Sequence, residues 1–332
     1  TRYRSSAASD VYKRQTDNSG DLGGGALGLY EAGATTLSDV QFEGNEATYS
    51  YGGAVFLYDA QDTIRFESVT FDANTASSYG GAIHIFEAAG VELSEVALVD
   101  NASDYGGALS SYYSTLLDIS DTVLSGNEAD TSGGAIYMLD GGLSVDGVTL
   151  DENVSANAGG AIYLYAVDTA EVVRSRFCLN EAGSYGGAVY STTTGSEEWK
   201  NNIFQENYGG YYGGVFYASS AVISLTNNTF VGNEAGYDGG ALYLAGSTTA
   251  FVNNIVAYTV DGDGLHEIGG VSGSAFTYSD WYDNSSAHIG TSSYASTTST
   301  GSTTSAPSFD SYSLDGDCDN DDLSLSSGSA LI

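Results

Sequence analysis

The chain has 332 residues, with 8 Lys+Arg against 43 Asp+Glu for a formal charge of −35, and it carries 44 Gly, 26 Tyr, one Pro and two Cys. That balance excludes a basic nucleic-acid surface, which phosphates demand, and a hydrophobic fraction of 42% excludes a disordered acidic tail. No apolar run approaches the 18 residues of a membrane-spanning helix; glycine without a collagen triplet leaves Gly-punctuated β-structure.

Residues 1–15 stand apart. Arg2, Arg4, Lys13 and Arg14 are half of the basic residues, which leaves four against 42 acids over 16–332. The string SSAASDVYKRQ resembles translated sequencing-adapter read-through, so 1–15 is expected to be a non-native prefix, the alternative being a basic N-terminal arm.

From about Thr16 the chain repeats. Gly-Gly followed by Ala or Val begins at 24, 52, 80, 106, 133, 159, 186, 213 and 239, a period of about 27 residues. Before each pair from 52 onward, Phe or Leu, two residues and Asn recur, as in FEGN (42–45), LDEN (150–153) and FVGN (230–233). After Gly-Gly the apolar residues alternate, as in AIYL (161–164), and a second alternating run follows, as in LSVDGVTL (143–150). Alternation with period two over so few residues predicts short half-buried strands. Two or three such strands per unit cannot close a core alone, but stacked coils can. The predicted fold over 16–284 is therefore an all-β, right-handed parallel β-helix of about 9–10 rungs, a rod on the order of 45 Å long at the inter-strand spacing.

Two repeat positions have local physical roles. Gly-Gly permits a positive-φ turn where a Cβ would collide with the next rung. Asn45, Asn74, Asn101, Asn127, Asn153, Asn180, Asn207 and Asn233 share one register and predict a structural amide ladder, joined late in the chain by Asn202, Asn228 and Asn254. Beyond Asn254 the period fades. Residues 285–306 are dominated by Ser and Thr and read as an insertion or linker, and 307–332 reads as a last rung or cap.

The alternation of GGA-aliphatic with FxxN over about 16–250 resembles the repeats of polymorphic outer membrane proteins, which are surface adhesins, and of secreted bacterial β-helix proteins. The resemblance implies an exported or cell-surface, adhesin-like module. Those adhesins end in a membrane barrel, whereas SLSSGSALI at the end of this chain resembles the closure of secreted β-helix proteins without its Pro and final Asp. The sequence is accordingly expected to be a fragment truncated at both ends, with any signal peptide or anchor outside it.

Candidate sites lie on the outward registers. The third position after Gly-Gly reads Phe56, His84, Ser110, Tyr137, Tyr163, Tyr190, Tyr217 and Tyr243, and Tyr30, Tyr58, Phe86, Tyr112 and Tyr165 follow two residues on. A flat Tyr strip suits a glycan or a protein partner, the plain alternative being aromatic stacking along a solenoid. Glu31, Asp59 and Glu87 share a register on adjacent rungs, where bound Ca²⁺ would offset their repulsion, the plain and favoured alternative being screening by water; DGDG (261–264) and DGDCDNDD (315–322) are weaker calcium candidates, and no other cofactor is expected. For a carbohydrate-active enzyme, the alternative function, His266-Glu267 is the one His-carboxylate pair, and His288 is isolated. Arg65, beside Glu92 and Asp118, and Lys200, near Glu198, are expected in ion pairs. Cys178 and Cys318 agree with export, and whether they pair is open from sequence.

Overall fold

Four short strands make one turn of the chain, and each hydrogen-bonds in parallel with its copy on the next turn. The structure, a computed structural model, describes residues 13–20, 23–48, 51–192, 195–268, 275–285, 289–291, 298–329 and 331. In one turn the post-glycine strand Ile162–Tyr165 leads to Thr169–Val173, then Arg176–Cys178, then the two-residue strand Glu181–Ala182. Stacking yields parallel sheets of 11, 11, 11 and 9 strands. The turn thus has four strands where two or three are expected, because a brief extended pair follows each Asn bend, too short to show alternation.

The inward registers fill the coil. Ile162, Leu164 and Val172 are completely buried, and Phe42, Phe71, Phe177, Phe204 and Phe230 form an interior column on the third sheet. Phe177–Phe204 and Phe204–Phe230 centroids lie 4.8 and 4.9 Å apart, so in-register pairing places like ring above like ring. One interior carboxylate, Glu197, accepts from the Ser191 hydroxyl and from Trp199 Nε1 at 3.1 Å, consistent with the rule that a buried polar group is hydrogen-bonded.

The Asn residues bind rung to rung. Asn153 Nδ2 donates to Asn180 Oδ1 at 3.0 Å and to the Leu124 carbonyl at 2.9 Å. Its own Oδ1 accepts from the Asn127 amide nitrogen at 3.2 Å and from Asn127 Nδ2 at 2.9 Å. The same geometry runs from Asn18 through Asn45 to Asn233, and a second ladder links Asn202, Asn228 and Asn254. The residue preceding each ladder Asn turns the bend in the left-handed region, as at Asp100 (φ 53°), Glu152 (φ 55°) and Glu206 (φ 50°). Short polar side chains tolerate that region better than β-branched ones, which is one reason acids gather at the bends.

Strands also occur at both ends of the repeat. Lys13–Thr16 adds a strand to the third sheet by pairing with Val40–Glu43, so residues 13–15, assigned to the prefix, lie on the coil, and Arg14 pairs with Glu43. Within 285–306, expected as an insertion or linker, Ile289–Thr291 and Thr298–Thr300 extend two sheets in parallel; Ser/Thr-rich composition hides a strand whose backbone bonds need no particular side chain.

The C-terminal segment is neither a rung nor an end cap. Phe309–Ser311 pairs antiparallel with Asp322–Leu325, and this flap lies along the flank of the third sheet. Cys178 and Cys318 form a disulfide across it. Arg176 Nη1 reaches Asp319 at 2.7 Å, Gln205 donates to Asp321, and Tyr312 stacks on Tyr258. Along this register the outward residues change from Glu43, Asp72, Val99, Ser125 and Asp151, none of them buried, to Cys178, Gln205, Val231 and Ala257, all buried.

Candidate functional site

The post-glycine strand carries the candidate face. Its alternation turns Ile162 and Leu164 inward and Tyr163 and Tyr165 outward, and the register Tyr137↔Tyr163↔Tyr190↔Tyr217↔Tyr243 superposes the outward rings. Successive centroids lie 4.9, 4.7, 5.2 and 5.3 Å apart with interplanar angles of 2–7°. His266 continues the stack 5.3 Å beyond Tyr243. Toward the other end, ring contacts pass from Tyr137 through Tyr112, His84 and Phe56 to Tyr30, bypassing Ser110. The five-ring strip is therefore part of an aromatic ribbon spanning ten successive strands.

Its presentation differs from a flat sugar-stacking surface. Parallel rings at the rung spacing cover one another's faces, so Tyr137, Tyr163, Tyr190 and Tyr217 are half-buried and Tyr243 is buried. Burial pushes the Tyr163, Tyr190 and Tyr243 hydroxyls up to about 12 and raises those of Tyr112 and Tyr137. Open ring area comes from the flanks, where Tyr30, Tyr58, Tyr165, Tyr211 and Tyr237 are exposed by 40–62%. A further column consists of Tyr51, Tyr79, Tyr105, Tyr185 and Tyr212, packed beside the ribbon through contacts such as Tyr212–Tyr243 at 4.5 Å. Sequence reasoning missed this column, although Tyr directly precedes Gly-Gly in all five units.

Within the ribbon His84 is 3% exposed, lies parallel to Phe56 and bonds Ser110 Oγ through Nδ1 at 2.7 Å. Desolvation pushes its pKa down to about 3, below the unfolded value of about 6.5. The unfolded chain then binds the extra proton, so this contribution is present above about pH 6.5 and is lost as pH falls toward 3. Between pH 7 and pH 5 His84 is expected to cost about 2 kcal/mol of stability. Urea unfolding at both pH values should show the wild type losing that much more than His84→Phe; equal losses would contradict the assignment.

The remaining candidates are scattered. His266 and Glu267 are consecutive in Leu265–Ile268, so they face opposite sides, with Glu267 buried in the coil at 2% exposure. They cannot act together on one substrate. His288 lies outside the described residues. Arg65 pairs with Glu92 at 2.6 Å, Lys200 with Glu198, Arg174 with Asp146, and Arg176 with Asp151 and Asp319. Glu31, Asp59 and Glu87 occupy positive-φ bends at 47, 52 and 54°. Among the described residues they form no three-ligand group; the group with ligand atoms within 4.8 Å of one another is Asp238, Asp263 and His266. The 315–322 string forms the turn of the flap, where Asp319 and Asp321 are engaged by Arg176 and Gln205.

Residues 22–196 and 112–256 match a family model described as a right-handed β-helix region, together covering more than half of the chain. No curated protein and no solved structure matches it significantly.

Proposed function

From the premise that this chain belongs to the right-handed β-helix family, a scaffold of both adhesin-like proteins and polysaccharide-degrading enzymes, we propose that it is a non-catalytic, exported or surface-held binding rod that takes a neutral glycan along its aromatic face. The observation carrying this reading is the ribbon itself, ten strands long and flanked by exposed tyrosines. Several exposed aromatic rings gathered along one face commonly mark a partner, and tyrosine supplies apolar area with a polar tip at little entropic cost. The formal charge of −35 opposes an acidic sugar polymer. The Cys178–Cys318 disulfide supports an oxidising location, and the resemblance to surface adhesin repeats supports attachment outside the cell. The enzymatic reading loses its best pair, since His266 and Glu267 stand on opposite sides of one strand.

Electrophoresis through gels containing a neutral β-glucan or soluble chitin derivative tests the proposal. The wild type should be retarded, and Tyr165→Ser with Tyr237→Ser should abolish most of that retardation without lowering the melting temperature, because both rings are exposed. Tyr163→Ser should instead cost about 1–3 kcal/mol of stability through lost stacking and burial. Retardation by neither polymer, or retardation indifferent to the exposed pair, would contradict glycan binding on this face.

A further inference from the structure

The aromatic ribbon ends in three departures from the repeat, and they converge. Where five other units place Tyr before Gly-Gly, this rung has Asp238. Where the ribbon has Tyr243, the next strand has His266 in register with it. Counting back from the Leu242↔Leu265 pair, Asp263 stands opposite Gly240, in the DGDG turn. The short fourth sheet stops at Glu234–Ala235, and this turn occupies the following rung. It brings Asp263 Oδ2 to 3.0 Å from His266 Nδ1, while Asp238 of the preceding rung places Oδ1 at 3.8 Å.

We propose that Asp238, Asp263 and His266 form a binding site for a divalent transition-metal cation of the zinc type at the end of the ribbon. Tetrahedral ligands held at about 2.0–2.2 Å from zinc stand roughly 3.4 Å from one another, and the two measured separations bracket that spacing. Stacking of the imidazole on Tyr243, with an interplanar angle of 5°, fixes the ring plane so that Nδ1 faces both carboxylates. The metal replaces the Nδ1 proton that Asp263 otherwise accepts. One imidazole with two carboxylates is a borderline set suited to zinc, whereas Ca²⁺ calls for six to eight oxygens and gains little from a ring nitrogen. The DGDG string, calcium-like by composition, is thereby reassigned, because the nitrogen it meets comes from a strand rather than from the turn. Three protein ligands leave a fourth position open on the outer face, beside the Tyr edges.

The test is calorimetric titration of the full chain with ZnCl₂ and with CaCl₂, followed by visible absorption with Co²⁺. One zinc is expected to bind at least tenfold more tightly than calcium, with His266→Asn and Asp263→Asn each weakening zinc at least tenfold and His266→Asn abolishing the ligand-field band of Co²⁺. Asp238→Asn, at a more exposed residue, should weaken zinc while leaving the circular dichroism unchanged, and it decides the matter if the other variants do not fold. Absence of zinc binding, zinc binding indifferent to these substitutions, or calcium binding as tight as zinc would each overturn the assignment.

Discussion

Gly160→Ala is expected to destabilise the coil by at least about 3 kcal/mol, at the upper end of overpacking effects. A Cβ at this position would stand 2.0 Å from the Gly187 carbonyl oxygen and 2.6 Å from that of Glu181. Neither oxygen can withdraw easily, because both belong to backbone that carries rung-to-rung hydrogen bonds, such as Ala161 N to the Ala188 carbonyl at 2.9 Å. The two glycines of each pair thus serve different needs. Gly159 takes φ +66°, while Gly160 is required by proximity rather than by its own conformation. The contrasting substitution is Gly147→Asn. Gly147 takes φ +67° in a column where Arg174 and Asn201 adopt φ 52° and 55°, and its Cβ would meet only the Asp121 carboxylate at 3.1 Å. That variant should remain within about 1 kcal/mol of the wild type, since Asn tolerates the left-handed region. Urea unfolding of the two variants separates the explanations, and equal losses would mean that close approach is not what selects the second glycine.

Asn153→Ala is expected to cost roughly 2–4 kcal/mol, from one buried donor left unpaired and three groups that each lose a bond. Removing the amide leaves the Asn127 backbone N–H without its acceptor and takes one bond each from Asn127 Nδ2, which keeps the Leu98 carbonyl, from the Leu124 carbonyl, and from Asn180 Oδ1, which keeps the backbone N–H of residue 153, all inside a bend where Asn127, Asn153 and Asn180 are completely buried. Each unpaired buried group loses about 1–3 kcal/mol, partly recovered if water enters the bend. Asn153→Asp should be no better, because it keeps the acceptor, forfeits both donations and places a charge among carbonyls. Equilibrium unfolding measures the loss. A cost below about 1 kcal/mol for Asn153→Ala would mean that the ladder is incidental to stability.

These two effects also mark where sequence alone was sufficient. Spacing made the coil legible, since Gly160 and Asn153 repeat at a fixed period and each has a reason local to its own bend. The face was legible in composition and not in orientation. Tyr163 and Tyr190 are outward by alternation, but the rung spacing that makes them neighbours also makes them cover each other, and that follows only once the parallel register is known. The Tyr column before Gly-Gly was visible as a string and passed over because it lies outside the alternating run. The flap was hidden differently. Cys178, Val231 and Ala257 signal a covered flank by their apolar character on an outward register, yet their cover comes from a segment as distant as Cys318, with no period to connect them. His266 and Glu267 looked like a pair because they are adjacent in sequence, which in a strand is the arrangement that separates side chains.

Tyrosine nitration read by mass spectrometry, with and without the retarding neutral polysaccharide, tests the binding face most directly. Tyr58, Tyr165 and Tyr237 flank the ribbon and are exposed by 40, 47 and 62%, while Tyr278, exposed by 64%, sits at a bend after the second strand of its turn, away from that face. The polysaccharide should protect the first three and leave Tyr278 as reactive as before. Protection of Tyr278 with continued nitration of Tyr58, Tyr165 and Tyr237 would place the contact elsewhere on the coil and contradict the account.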